Sequence, residues 1–188
     1  MTFRFVTSVC FLAFVVGAPV EQPEYPNCDL PKDAGNGRNL SQKFYFDHDW
    51  NSCFAFKYTG KGGNTNRFDS RRDCESACLY ADGPVCTGPG KATADAIKWD
   101  QHSCDDTVCP EGYSCMYDMS GPSCCHNENS EAIDQGYADK CPDGSKAEGI
   151  QREYFVATFA KSCNDLLCGP KQKCQQVNKH FAKCCGAK

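Results

Sequence analysis

The sequence predicts a small, disulfide-rich α+β fold: a twisted hairpin with a helix after it, then two copies of a six-cysteine unit. Three observations carry this. The chain has 17 cysteines in 188 residues, far above ordinary usage. Aromatic-rich runs flank a polar turn ahead of a helix-start signal at Ser70. From Cys86 onward the cysteine spacing repeats.

The first 17 residues read as a secretory signal. Arg4 supplies a basic start, and Phe5 to Val16 is mostly apolar but too short to span a bilayer. Val15-Val16-Gly17-Ala18 offers small residues for cleavage after Gly17 or Ala18, and Pro19 directly after Ala18 favours the cut after Gly17; an N-terminal membrane anchor is the rival reading. No later stretch is apolar enough to span, so no membrane partner is expected. Cys10 leaves with the signal, and the even number that remains reads as a disulfide framework of a secreted, extracellular protein. Zinc is the rival reading. It is disfavoured by only four histidines (His48, His102, His126, His180) and by the lack of paired CxxC motifs. Arg4 is one of 20 basic residues against 24 acidic ones, so the mature chain carries five more acidic than basic side chains. That balance, without a basic stripe, argues against nucleic acid.

Residues 18–27 hold prolines and read as an exposed lead-in. Pro31 to Asn39 is rich in Gly, Asn and Asp and reads as loop. Lys43 to Asp47 and Cys53 to Tyr58 form a hairpin signal around the turn Asp47 to Ser52. Gly60 to Asn66 is a further loop. Ser70-Arg71-Arg72-Asp73 resembles a capping box and opens a short helix. Cys74 and Cys78 share one helical face. One can staple the helix to the hairpin while the other ties it to the amino end.

Residues 86–125 and 141–185 are the two repeats. Their cysteine gaps run 18, 5, 6, 9, 1 and 22, 5, 6, 10, 1. Lys91-Ala92 and Lys146-Ala147 recur at one offset, Ser103 and Ser162 precede the second cysteine, and both copies end in Cys-Cys. The polar segment 126–140 reads as a linker. Four cysteines before the repeats and six in each account for all sixteen, so each unit can satisfy its own, with fifteen pairings open per repeat. Each unit is too small to stand without cross-links.

Cys28, Cys53, Cys74 and Cys78, with Phe44-Tyr45-Phe46, Phe56-Lys57-Tyr58 and Asn66-Arg67-Phe68 between them, resemble a Kunitz-type domain of the bovine pancreatic trypsin inhibitor family. The match runs over residues 28–78 without a gap. Cys109-Pro110-Glu111-Gly112-Tyr113-Ser114-Cys115 and the Cys-Cys ends resemble lustrin-like repeats of invertebrate extracellular proteins; whey-acidic-protein domains share the ending but carry eight cysteines. The Kunitz resemblance implies bridges Cys28–Cys78 and Cys53–Cys74. It also implies a rigid convex loop that enters a serine protease cleft as a substrate does, with the residue after the family's second cysteine in the specificity pocket. That cysteine falls on Gly37, so the inhibitory loop is Gly37-Arg38-Asn39 and the specificity residue is Arg38. Arginine suits a trypsin-like pocket with a buried carboxylate.

The chain departs from the family at two partnered places. Gly37 and Lys61 stand where the second and fourth cysteines belong, so no odd thiol is left. The absent bridge would close a loop of about 25 residues, worth roughly 3.5 kcal/mol, against roughly 4 kcal/mol for Cys28–Cys78. The fold is expected to survive, and the loop to lose its clamp. Gly37 adds backbone freedom, and Thr59 occupies a place where the family usually has glycine. Asn39-Leu40-Ser41 is a glycosylation sequon, and a sugar on Asn39 would obstruct a protease.

Other candidates read as structural. Asp47-His48-Asp49 is a solvated charged turn, Ser103 and Ser162 lack recurring His and Asp partners, and Trp50 and Trp99 read as local packing residues. Tyr154 to Phe159 reads as a strand of the second repeat or as a contact surface. No catalytic residue, metal or cofactor is expected, and the chain is not expected to be an enzyme. The expected function is a secreted Kunitz-type serine protease inhibitor or protease-binding protein, weakened by the lost clamp, with a trypsin-like serine protease as partner. The alternative is a non-inhibitory extracellular matrix or cuticle-associated protein that uses the fold as a binding scaffold for matrix proteins. Small secreted Kunitz proteins of invertebrates, including nematodes, resemble the whole arrangement.

Overall fold

Two aromatic-rich runs make the first element pair. β1 (Ser41–Asp47) and β2 (Ser52–Tyr58) run antiparallel, with Ser41 opposite Tyr58 and Asp47 opposite Ser52. The turn between them closes through Asn51 N donating to His48 O at 3.2 Å, with Asn51 in the left-handed region, where asparagine is tolerated. α1 (Arg71–Cys78) begins as a capped helix: Ser70 Oγ accepts from the Asp73 amide at 3.1 Å. Cys53–Cys74 ties β2 to α1, and Cys28–Cys78 ties the amino-terminal segment to the helix end. The fully buried Asn66 joins three segments. Its Nδ2 donates to the carbonyls of Cys28, Leu30 and Phe46, and its Oδ1 accepts the Phe46 amide at 2.8 Å.

The structure, a computed structural model, describes residues 26–80, 82–100 and 102–186. The expected signal 1–17 and most of the lead-in 18–27 lie outside the described residues. Among the described residues no helix is long and apolar enough to cross a membrane.

The first repeat holds β3 (Thr93–Ala94), β4 (Tyr113–Asp118) and β5 (Gly121–His126), in the order β3-β5-β4. α2 (Asn127–Tyr137) follows. The second repeat holds the hairpin β6 (Gly149–Gln151) and β7 (Phe155–Ala157), then β8 (Phe159–Ala160), a 3-10 turn at Cys163–Asp165, β9 (Lys173–Gln176) and β10 (Ala182–Cys185), with sheet order β8-β10-β9. The bridges of the first repeat are Cys86–Cys125, Cys104–Cys115 and Cys109–Cys124; those of the second are Cys141–Cys185, Cys163–Cys174 and Cys168–Cys184. Both repeats therefore join first to sixth, second to fourth and third to fifth cysteine. The terminal Cys-Cys pair sits on a strand in each, where neighbours point to opposite faces. One cysteine reaches one side of the sheet and its neighbour the other.

Segment 126–140 differs from its expectation as a plain linker. Residues 127–137 are the helix α2, which buries Asn129, Ala132 and Gly136. Its contact stripe uses small residues, so it carries little hydrophobic signal. A β-carbon at Gly136 would come within 2.7 Å of the Phe159 ring, so glycine lets the helix lie against that ring. The carbonyls at the end of α2 are held by Lys183. Its Nζ donates to Gln135, Ala138 and Lys140 oxygens at 2.7, 2.8 and 3.0 Å. Lys183 is fully buried, and burial pulls its ammonium down to about 8.

The hairpin and the second repeat share one core. Ser52 to Phe56 are all buried, which a two-stranded hairpin cannot achieve alone. Cys53 packs with Phe46, Phe68 and Cys74. Phe54 meets Phe159 and Phe181 at ring separations of 5.3 and 5.2 Å, and Ala55 clusters with Ala160, Leu166 and Ala182. Trp50 lies 4.6 Å from the Phe181 ring, so its packing reaches across to the second repeat rather than staying local. Trp99 differs more: it is 59% exposed. Tyr154 to Phe159 supplies both a strand and a contact surface. Arg71 locks the junction. It is 6% exposed, donates Nη1 to the Ala157 carbonyl at 2.9 Å and lies over the rings of Tyr137 and Phe159. Each fully buried phenylalanine here stabilises the fold by roughly 1.5–3 kcal/mol.

Candidate functional site: the loop around Arg38

The loop 34–39 runs beside residues 59–61, and a hydrogen-bond array joins them. Asn36 N donates to Lys61 O at 2.9 Å and Asn39 N to Thr59 O at 2.9 Å. Gly37 N donates to Thr59 Oγ1 at 2.8 Å. Thr59 returns two bonds to the Ala34 carbonyl, one from its amide at 2.9 Å and one from its hydroxyl at 2.8 Å. Asp33 Oδ1 accepts the Gly35 amide at 2.8 Å, and Gly35 is in the left-handed conformation that the tight approach to Lys61 requires. The second segment is itself braced. Tyr58 OH donates to Gly62 O at 2.7 Å, and Arg67 stacks 4.2 Å from the Tyr58 ring while holding the carbonyls of Gly62 and Asn64.

Positions 37 and 61 face one another. A β-carbon at Gly37 would lie 3.0 Å from that of Lys61 and would overlap the Thr59 carbonyl oxygen. Bridged cysteines keep their β-carbons about 3.5–4.5 Å apart. The two segments thus sit closer than a disulfide allows. Glycine is expected to add backbone freedom at 37; instead its amide is bonded to Thr59 Oγ1 and its backbone is packed against Thr59 and Lys61. A glycine at position 59 has no hydroxyl to join Gly37 to Ala34.

Arg38 and Asn39 are exposed, and among the described residues Arg38 makes no ion pair. Lys61 is exposed beside them. The remaining sequence candidates serve the fold. His48 Nε2 lies 2.7 Å from Asp29 Oδ1, and Asp47 pairs with Lys161 at 2.5 Å. Ser162 Oγ donates to Asp165 at 3.1 Å. No group of three His, Cys, Asp or Glu side chains suited to a metal occurs among the described residues. In the sequence Thr59 stands out only as a departure from the family pattern, and no local pattern distinguishes Gln42 or Asp165.

Comparison with known proteins places this loop in a family. The Kunitz/bovine pancreatic trypsin inhibitor domain matches residues 27–79. The major allergen Ani s 1 of Anisakis simplex is 32% identical over 168 residues, which cover 84% of this chain and 86% of that protein. The chain belongs to the Kunitz/bovine pancreatic trypsin inhibitor family. The likeness to the allergen extends well past the Kunitz segment into the repeats. Kunitz-type conkunitzin-S1 of Conus striatus is 36% identical over 75 residues, 40% of this chain and 87% of that protein. The Kunitz-type serine protease inhibitor textilinin-4 of Pseudonaja textilis textilis is 38% identical over 61 residues, 32% of this chain and 74% of that protein. The fold is accordingly the small, disulfide-rich α+β class with a Kunitz domain, and its relatives include a serine protease inhibitor.

Proposed function

We propose that this chain is a secreted, extracellular, non-enzymatic protein that binds a trypsin-like serine protease through Arg38. One observation carries the reading. Arg38 is an exposed cation, without an ion-pair partner among the described residues, on a loop whose amides at 36, 37 and 39 are all bonded to the facing segment. A loop held this way meets a cleft with less ordering cost, and an arginine fork matches a buried carboxylate. The eight disulfides among the described residues support an oxidising, extracellular setting. In this reading residues 1–17 are the leader, 28–78 the Kunitz domain, and 86–125 and 141–185 two lustrin-like repeats joined through 126–140. Gly37 and Lys61 mark the place of the family bridge, and the polar array around Thr59 stands in for it. The test is a titration of trypsin with the full chain. Inhibition at or below micromolar concentration is expected, and Arg38→Glu should weaken it at least 100-fold, about 3 kcal/mol. No inhibition at micromolar concentration would overturn the reading.

A second reading rests on Asn39. Its side chain is exposed within Asn39-Leu40-Ser41. A glycan there would stand beside Arg38 and turn the domain into a non-inhibitory scaffold for matrix or cuticle proteins. Mass spectrometry of the secreted protein decides between the two: an occupied Asn39 favours the scaffold, and an unmodified one favours protease binding.

A further inference from the structure

The loop around Arg38 has two flanks, and a single residue of the second repeat grips both. On the amino-terminal flank, Lys32 Nζ lies 2.6 Å from Asp165 Oδ1. On the carboxy-terminal flank, Gln42 Nε2 donates to the Asp165 carbonyl at 3.0 Å. Gln42 is used twice, because its Oε1 accepts the Leu167 amide at 2.7 Å. Asp165 is itself held in place. It ends the 3-10 turn Cys163–Asp165, its second oxygen accepts from Ser162 at 3.1 Å, and Cys163 is bridged to Cys174. The neighbouring Leu166 is buried with Ala55 of β2. A rigid, disulfide-anchored turn therefore spans the base of the loop from outside, opposite in kind to the array around Thr59, which joins the loop to residues 59–61.

We infer that the second repeat is a working part of the Arg38 loop, with Asp165 and Gln42 as positioning residues that lock its two flanks together. The covalent clamp at positions 37 and 61 is replaced by two non-covalent ones, of which one is supplied by another module. A Kunitz segment severed from its second repeat would keep both of its disulfides and lose this outer lock. For the functional meaning of the lock the inference rests on the reading of Arg38 as the binding residue; the lock itself is testable without it.

The experiment is amide hydrogen exchange on the full chain, read at Gly37 and Asn39. Gln42→Met removes two bonds while keeping length, and Lys32→Met removes the ion pair from the other flank. Each should speed exchange at both amides about tenfold, the factor expected for one or two lost hydrogen bonds. The Phe44 amide, which bonds Phe68 O at 2.9 Å, should change less than twofold. Exchanging the charges with Lys32→Asp and Asp165→Lys together should restore most of the protection that Asp165→Lys alone removes. Unchanged exchange at Gly37 and Asn39 in both methionine variants overturns the lock. So does acceleration shared equally with Phe44, which would mark a general loss of structure. Trypsin supplies a separate readout, with faster cleavage after Arg38 expected in both variants. If trypsin neither binds nor cleaves the native chain, the protease reading fails while the exchange result stands, so the two failures are distinct.

Discussion

The two repeats share one cysteine plan and meet opposite fates. In the second, Phe159, Phe181 and Leu166 are buried, and they cover the hairpin of the Kunitz domain. In the first, the buried apolar side chains among the described residues are Pro122 and three cysteines, Cys86, Cys124 and Cys125, while Ile97, Trp99 and Val108 are exposed. The first repeat touches the Kunitz turn through Gly88 N and Asp49 O at 2.5 Å and reaches α2 through Asn129 and Pro89. The difference teaches that the disulfides fix the local chain path and leave docking undecided. Docking depends on what the strands carry outward. Lys183 and Phe181 stand on or beside β10, where the first repeat has Ser123 and Gly121 at the same distance from Cys-Cys.

The comparison can be broken first at the rings. Phe159→Ala should destabilise the chain by about 3–5 kcal/mol through the cavity it leaves, whereas Trp99→Ala in the first repeat should change stability by less than about 1 kcal/mol. Thermal unfolding of both variants under non-reducing conditions checks this, and equal losses would remove the asymmetry.

Lys183→Met comes next. It strips three carbonyls at the end of α2 of their donor and should cost about 2–4 kcal/mol; Ser123→Met should cost far less. A pH signature accompanies it. The folded ammonium titrates near 8, below the ordinary 10.5 of the unfolded chain. The unfolded state therefore holds more protons between these values, so stability rises with pH across that window. Lys183→Met should lose this slope in unfolding midpoints measured from pH 8 to pH 10.

A smaller effect sharpens the account of the loop. Thr59→Val keeps the shape and removes the hydroxyl that joins Gly37 to Ala34. It should cost about 1–2 kcal/mol and raise exchange at Gly37, and Thr59→Ser should recover part of the loss. The smallest effect belongs to the first repeat. The exposed pair Lys98 and Asp106, 3.9 Å apart, should yield under about 0.5 kcal/mol on Lys98→Ala.

Much of this was legible along the chain. The hairpin registered as two aromatic runs about a turn, and the helix start as Ser70 with Asp73, because strand alternation and capping are local rules. α2 was not legible, because its contacts use Ala132 and Gly136, which fit by smallness rather than by hydrophobicity. In the loop, Arg38 followed from counting along the family pattern. The grip of Asp165 on Lys32 and Gln42 did not, since those residues lie more than 120 positions apart.

For want of a cysteine pair at 37 and 61, the sequence predicts a slack loop. Cysteine spacing by itself determined the duplicated repeat, and the resemblance of residues 28–78 to the Kunitz pattern marked the family segment and the absence of cysteines at 37 and 61, because each is a property of residues close together or of a count. Only the tertiary structure decided what fills the place of that bridge. A hydroxyl on Thr59 and a carboxylate on Asp165 act through space, and the partners they find depend on how the second repeat comes to rest on the hairpin.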